Sequence, residues 1–365
     1  MNNQPIVNKK MVKTMKALRK NQAEYKRAHG KGKRTIVKNY IGKLVKVSNP
    51  QPIKDGIEVT EYRKRGPKKE ELITLLEEEK LTGMSGNKFL TAKKLATFMN
   101  ANANRKILII NAVECEPGLL HDDWLIQNKA EAIRMGIHYL NQAFGFERIL
   151  FATKEQKQEV FRCKGVEVLK VPARYPMGEE HFLIRQLLNI QLEKREIPAA
   201  HGILVLNVQT VYQISQIVNG AHIGGRYITV ADLTTGEARI TYVTPKENIV
   251  ELLKHTFSKE GMYYAGQGIL AAHTTTKQEQ FTPDICFVAV GHVATIGNEN
   301  PCKGCGACSR KCPMNISVKD IVQAFEKDPK TTAYALEKES CIHCQTCTYY
   351  CHAAKNVAEI VNNKE

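Results

Sequence analysis

The stretch PCKGCGACSRKCP, residues 301–313, and its counterpart SCIHCQTCTYYCH, residues 340–352, organise the reading of the whole chain. Each sets a cysteine at every third residue: Cys302, Cys305 and Cys308 in the first, Cys341, Cys344 and Cys347 in the second. Each adds a fourth after three further residues, Cys312 and Cys351. A loop with a thiolate every third residue wraps one iron–sulfur cube and presents three ligands, while the fourth cysteine reaches the neighbouring cluster. The spacing therefore predicts two 4Fe–4S clusters, one on Cys302, Cys305, Cys308 and Cys351, the other on Cys341, Cys344, Cys347 and Cys312. Zinc, the alternative, favours two C-x-x-C pairs with a spacer between them. Pro313 follows the first motif, whereas His352 takes that place after the second and His343 sits inside it. Either histidine tunes the second cluster through a hydrogen bond or simply lies on the surface beside it.

Upstream, residues 105–220 alternate strand and helix patterns. KILIINAV reads as a buried strand. After it, Asp122 and Asp123 open a helix whose apolar positions Ile126, Ala130, Ile133, Ile137 and Leu140 step by helical intervals. RILFA is the next strand, KEQKQEVFR a helix, VEVLKVP a third strand, and a helix with Ile184, Leu187 and Leu188 follows. GILVLNV and TVYQISQIV close the series as strand and helix. Four strands with intervening helices predict a largely parallel sheet covered on both faces. Next, YITVADLTTGEARITYV reads as two strands around a Thr-Thr-Gly turn, ENIVELLKHTF as a helix and ICFVAVG as a further strand.

The front of the chain differs from the body. Residues 1–70 hold 20 Lys and Arg against 5 Asp and Glu, so most of the net charge of +16 resides there. Residues 1–35 form a basic arm in which Met11, Val12, Met15 and Leu18 fall at helical spacing. TIVKNYIGKLVKV and GIEVTEY then read as a β-hairpin, and Pro67 precedes a helix through KKEELITLLEEEKL. Such an arm meets an acidic protein, an anionic membrane surface or nucleic acid, or is a solvated extension. Nucleic acid ranks last, because no recognisable nucleic-acid fold motif accompanies the charge. No apolar run is long enough to cross a bilayer, and the start lacks a signal-peptide pattern, which predicts a cytoplasmic protein. Of the 11 cysteines, Cys115, Cys163 and Cys286 stand outside the two clusters. In a reducing compartment such clusters are metal ligands rather than disulfides.

Four further motifs carry a family resemblance. They are Gly83-Met-Ser-Gly86-Asn-Lys-Phe89-Leu-Thr91-Ala-Lys-Lys94-Leu95, Asn111-Ala-Val-Glu114-Cys-Glu116-Pro117, Tyr175-Pro-Met-Gly178-Glu179-Glu180, and Leu206-Asn207-Val-Gln-Thr210. With the cysteine-rich tail, the stretch 72–365 resembles the C subunit of the Rnf electron-transport complex and the cobalamin-reductase-like proteins. More distantly it is similar to the NADH-binding flavoprotein subunit of respiratory complex I. The match is incomplete: Ser85, Lys88 and Leu90 replace Gly, Gly and Pro of the family loop, and Leu206 replaces its first Asn.

The resemblance implies an α/β flavin- and nucleotide-binding domain with a small β-grasp-like insert. A C-terminal dicluster ferredoxin-like α+β domain and a basic N-terminal arm with a β-hairpin complete it. The expected boundaries are 1–35 for the arm, 36–70 for the hairpin unit and linker, 71–222 for the FMN/NADH-binding-like domain, 223–298 for the β-grasp-like unit and connection, and 299–365 for the ferredoxin domain. The implied FMN and NADH residues are Gly83, Gly86, Phe89, Lys94, Asn111, Glu114, Glu116, Glu179, Glu180, Asn207 and Thr210. Among these, Lys94 neutralises the FMN phosphate, Phe89 stacks on adenine, Asn207 and Thr210 bond the flavin or its ribityl chain, and Glu114 and Glu116 hold the nicotinamide portion. No residue serves as a general acid or base. The implied activity passes electrons from NADH through FMN and two 4Fe–4S clusters to a redox partner protein or a membrane redox complex, from the cytoplasm or the inner face of the cell membrane. The alternative is an electron-transfer adaptor whose nucleotide site has decayed.

Overall fold

The computed structural model describes residues 52–362 except 57, 87, 88, 115, 117, 155–160, 173, 174, 194, 195, 223, 271, 292–299 and 332. The basic arm, the first half of the expected hairpin and most of the expected helix KEQKQEVFR lie outside the described residues.

The first unit runs α1 (Lys69–Glu78), α2 (Thr91–Met99), β1 (Ile107–Ala112), α3 (His121–Asn128), α4 (Ala130–Phe144), β2 (Arg148–Thr153), β3 (Val166–Lys170), α5 (Glu180–Leu188), a 3-10 turn at Pro198–His201, β4 (Ile203–Asn207) and α6 (Val208–Val218). Its four strands are all parallel, in the order β3-β2-β1-β4. Every β1 residue is buried, as an apolar run in a sheet covered on both sides requires. The pleat divides them between two cores. Leu108 and Ile110 join α1 to α4 and α6, whereas Ile107 and Ile109 pack with Leu183 and Ile184 of α5.

One expected helix is two. The run opened by Asp122 breaks at Lys129, whose φ of −121° is not helical. The buried Lys129 ammonium bonds Asp55 at 3.2 Å and Glu58 at 2.5 Å, and it stands 5.7 Å from the centre of the Trp124 ring. The second half of the expected hairpin is also corrected, for residues 58–62 form no strand. Val59 N–H is met by a side-chain amide instead, donating to Gln216 Oε1 at 2.8 Å, and nearby Arg63 donates to Asn219 Oδ1 at 2.7 Å.

The second unit runs β5 (Arg226–Asp232), β6 (Ala238–Val243), α7 (Ile249–Phe257), β7 (Met262–Gly266), β8 (His273–Thr274) and β9 (Phe287–Gly291). Its sheet has the order β6-β5-β9-β7-β8, with β5 and β9 parallel and the other pairs antiparallel. One face packs on α7 through Ile228, Val230 and Val288, and the other joins the first unit through Tyr227, Phe287 and Ala289.

The last segment is α8 (Ala307–Arg310), α9 (Val318–Lys327), α10 (Ala335–Glu339), α11 (Thr346–Tyr349) and α12 (Val357–Asn362). Among its described residues all regular structure is helical, so the strand part of the expected α+β layout is not seen there. Its small core gathers Cys308, Cys347, Ile316, Ile321, Val357 and Ile360. No helix among the described residues is long and apolar enough to cross a membrane.

Candidate functional site

The order β3-β2-β1-β4 reverses direction between β1 and β4, and in open parallel sheets ligands bind beyond the carboxyl ends of strands at such a reversal. Here Asn111 and Asn207 sit opposite each other in register at the ends of those two strands. A cavity of about 410 Å³ opens there, within the range of small-molecule sites. Its walls include Asn111, Glu114, Glu116, Glu179, Glu180 and Asn207, so six of the residues named from the sequence converge.

Each is held by local chemistry. The Asn111 amide donates to the Gly178 carbonyl at 2.7 Å and its Oδ1 accepts Val113 N–H at 3.1 Å. Glu114 has a left-handed backbone, φ +31°, uncommon for a residue with a side chain. The buried Lys154 ammonium bonds its carbonyl at 3.1 Å, and its Oε1 accepts Asp122 N–H at 3.0 Å. Glu179 precedes α5 and accepts N–H bonds from His181 and Phe182 at 3.0 and 3.1 Å. Burial pushes the Glu179 carboxyl up, but the His181 ring and these N–H groups outweigh it and leave it below the ordinary value. The same Glu179 bond raises His181. Asn207 caps α6 by accepting Gln209 N–H at 2.8 Å and donates its amide to Asp122 Oδ2 at 2.7 Å.

Glu116 is the most perturbed carboxyl of the group. Burial pushes it from 4.5 up to about 7, against the opposing pull of Leu270 N–H, Tyr175 and Lys154. Leu270 N–H reaches its Oε1 at 3.0 Å. A side chain at Gly268 would come within 2.0 Å of Glu116 Cγ, so only glycine leaves room for this carboxylate.

The other expected residues are engaged elsewhere. Gly83 N–H closes its own loop onto the Phe89 carbonyl at 2.9 Å, and the Gly86 carbonyl accepts the Gln267 amide at 2.9 Å. Thr210 is fully buried behind the loop, where its hydroxyl accepts Met84 N–H at 3.0 Å. The Lys94 ammonium pairs with Glu180 on the cavity wall. Phe89 is 49% exposed and is not among the lining residues. Lys88 and Cys115 lie outside the described residues.

Several lining residues were not singled out from the sequence as site residues. Asp122, read there only as a helix opener, ties Glu114 to Asn207 through its backbone and side chain. Beside it, the buried His121 meets Thr229 Oγ1 at 3.2 Å. Gln267 and Cys286 come from the second unit, and Ile342, His343 and Cys344 from the cysteine-rich segment. Helical phase was the available signal for Asp122, since it lies four residues before Ile126 and so falls on the buried face itself; nothing local signalled the rest.

Among the described residues no group of His, Cys, Asp and Glu side chains is drawn together as a metal site, so the eight cysteines stand as a proposed ligand set. Cys302, Cys305, Cys308 and Cys351 line one small cavity together. Burial pushes the Cys308 thiol up to about 11, and Cys351, Cys302 and Cys305 add to that shift. Cys344 is raised by burial first and then by Cys312 and Cys341. The neighbours of each thiol thus include the fourth cysteine of the opposite motif.

Residues 76–216 match the family model described as the Nuo51 FMN-binding domain. The chain is 27% identical over 285 residues to the C subunit of the ion-translocating oxidoreductase complex of Haemophilus influenzae (strain PittEE), covering 73% of this chain and 43% of that protein. It is 30% identical over 260 residues to the protein of the same name from Buchnera aphidicola subsp. Baizongia pistaciae, covering 67% of this chain and 51% of that one. The relative from Buchnera aphidicola subsp. Acyrthosiphon pisum aligns over 331 residues at 23% identity, covering 87% and 67%. The chain thus spans less than half of the Haemophilus protein. In fold it is similar to a chain of an NAD+-reducing NiFe hydrogenase, with a TM-score of 0.56 and 17% identity over 79% of this chain and 60% of that one. The resemblance drawn from the four motifs and the tail is borne out, for the chain is related to the Rnf-type C subunits.

Proposed function

We propose that this relative of the ion-translocating oxidoreductase C subunits is a flavin- and iron–sulfur-dependent electron-transfer oxidoreductase. It takes electrons from NADH at an FMN in the cavity beyond β1 and β4. It passes them through two 4Fe–4S clusters to a partner redox protein or a membrane redox complex, from the cytoplasmic face. The observation that carries this reading is one cavity whose wall holds both the carboxylates at the strand ends and Cys344 of the second motif. FMN supplies the conversion of a hydride into two single electrons. The protein's own part is positioning. Asn111, Asn207 and Glu114 are fixed around Asp122 and Gly178, while Glu116 changes charge near neutrality and so makes nucleotide binding sensitive to pH. Cys302, Cys305, Cys308 and Cys351 hold one cluster, and Cys341, Cys344, Cys347 and Cys312 the other.

A second reading, the adaptor that does not oxidise NADH, is favoured by a different observation. Phe89, Lys94 and Thr210, expected at adenine, phosphate and flavin, are respectively outside the lining, paired with Glu180 and bonded to Met84. An anaerobic NADH titration of purified, cluster-replete protein separates the two. Bleaching of flavin and cluster absorbance together supports the oxidoreductase. Bleaching by dithionite but not NADH, with no flavin released on denaturation, supports the adaptor.

A further inference from the structure

The two cysteine loops face different surroundings. Ile342, His343 and Cys344 of the second loop line the cavity, in the company of Glu114, Glu116, Asp122, Glu179 and Glu180, and no cysteine of the first loop does. In the first loop Cys305 is exposed, and so are its neighbours Lys303 and Gly304. Arg310 donates to the Cys305 carbonyl at 2.9 Å, which lays its guanidinium against that loop. The Lys311 ammonium stands 5.2 Å from the centre of the Tyr350 ring. Residues 301–316 contain no Asp or Glu. The nearby Glu326 is occupied by Cys302 N–H at 2.9 Å and by Lys355 at 2.9 Å, and Asp320 pairs with Lys319 at 3.0 Å. The outward side of the first loop is therefore cationic, and the cavity side of the second is acidic.

We infer that electrons leave the protein at the first cysteine loop, across the surface of Lys303, Arg310 and Lys311, to a one-electron acceptor protein that presents carboxylates there. The inference rests on the proposed use of the eight cysteines as cluster ligands. Opposite charge steers such an acceptor to this face, and the acid-rich cavity repels it from the other. Each encounter oxidises the protein by one electron and reduces the acceptor by one; no bond is made or broken and no proton moves.

The test needs no flavin. Cluster-replete protein reduced with dithionite and freed of excess reductant is mixed with two small oxidants of opposite charge, hexacyanoferrate(III) and hexaammineruthenium(III), at low ionic strength. The Lys303→Glu/Lys311→Glu double variant should slow oxidation by the anion and hasten that by the cation, moving the ratio of the two rates by about tenfold, a difference that shrinks as salt is added. Lys277→Glu, an exposed change on another part of the surface, should leave the ratio where it was. A ratio unmoved by the double variant, or moved equally by Lys277→Glu, overturns the inference. If NADH fails to reduce the protein but this ratio moves, the flavin reading falls and the exit surface stands. If dithionite bleaches no cluster absorbance, both fall.

Discussion

The two cysteine loops share a backbone and differ in what surrounds them. Gly304 N–H meets Cys302 Sγ at 3.4 Å, and His343 N–H meets Cys341 Sγ at 3.4 Å. Left-handed residues recur at matching places: Gly304 (φ +65°) and His343 (+56°), Gly306 (+69°) and Gln345 (+60°), Asn315 (+55°) and Ala354 (+55°). The helices α8 and α11, and then α9 and α12, begin at the same offset as the motifs. The duplication visible in the sequence as eight cysteines therefore extends through the helices that follow them. Cysteine spacing dictates the backbone of both copies, and surroundings dictate the side chains on it. Where the loop is open, glycine takes the left-handed positions at no steric cost. In the second loop the exposed His343 and the half-buried Gln345 occupy them against their preference, and His343 borders the acid-rich cavity.

The hardest blow to this comparison is removal of one proposed cluster ligand from each loop. Cys344→Ser should abolish NADH-driven reduction of the remaining cluster, since it strikes the loop beside the cavity. Cys305→Ser should leave NADH-driven bleaching of the second-loop cluster in place while stopping delivery to large acceptors. Anaerobic stopped-flow absorbance with low-temperature EPR reads both. Equal loss in the two variants would make the loops interchangeable and break the assignment of sides.

A smaller effect tests the cavity end. Asp122→Ala removes the acceptor of the Asn207 amide, a hydrogen bond to a charged group worth about 1.5–3 kcal/mol, so flavin affinity should fall by roughly tenfold to a hundredfold. Fluorescence quenching of added FMN measures it. Glu116 then gives the cavity a pH signature. Its carboxyl is raised from 4.5 to about 7, so its share of folding stability is full below the ordinary value and is lost as pH rises through about 7. Unfolding followed across that window should lose on the order of 1–3 kcal/mol, and Glu116→Gln should flatten the slope. If the variant keeps the slope, another group is titrating.

How much of this was legible beforehand depended on the range of the forces involved. Apolar runs and helical periods are local, so β1, β2, β3, β4, α5 and α6 could be marked from the sequence, as could β5, β6, α7 and β9. Asn111, Glu114, Glu116, Glu179, Glu180 and Asn207 were named through the family resemblance rather than from local pattern, and they line one cavity at the sheet reversal. What escaped depends on partners distant in sequence. The break at Lys129 answers to Asp55 and Glu58, the missing strand at 58–62 to Gln216, and the turning of Thr210 away from the cavity to Met84. Gln267, Cys286 and His343 reach the site from other units, and no local pattern announces that approach.

The smallest expected effect bears most directly on the paired loops. A left-handed backbone costs a residue with a side chain about 1–2 kcal/mol and costs glycine almost nothing. Gln345→Gly should therefore stabilise the protein by up to about 1 kcal/mol, reduced from the full strain by the freedom glycine adds to the unfolded chain. Gly306→Ala should destabilise it by more than that, because the added Cβ meets both the left-handed strain and Arg310 Nη1 at 2.9 Å. Gly304→Ala has open space, with its nearest neighbour Gln323 Nε2 at 3.5 Å, and should show the backbone cost alone. Denaturant unfolding of the cluster-replete protein, followed through loss of cluster absorbance, ranks the three. The order Gln345→Gly, Gly304→Ala, Gly306→Ala from most to least stable is what one shared backbone requires. If Gln345→Gly destabilises instead, the second loop relies on the Gln345 side chain, and the likeness of the two loops stops at their hydrogen bonds.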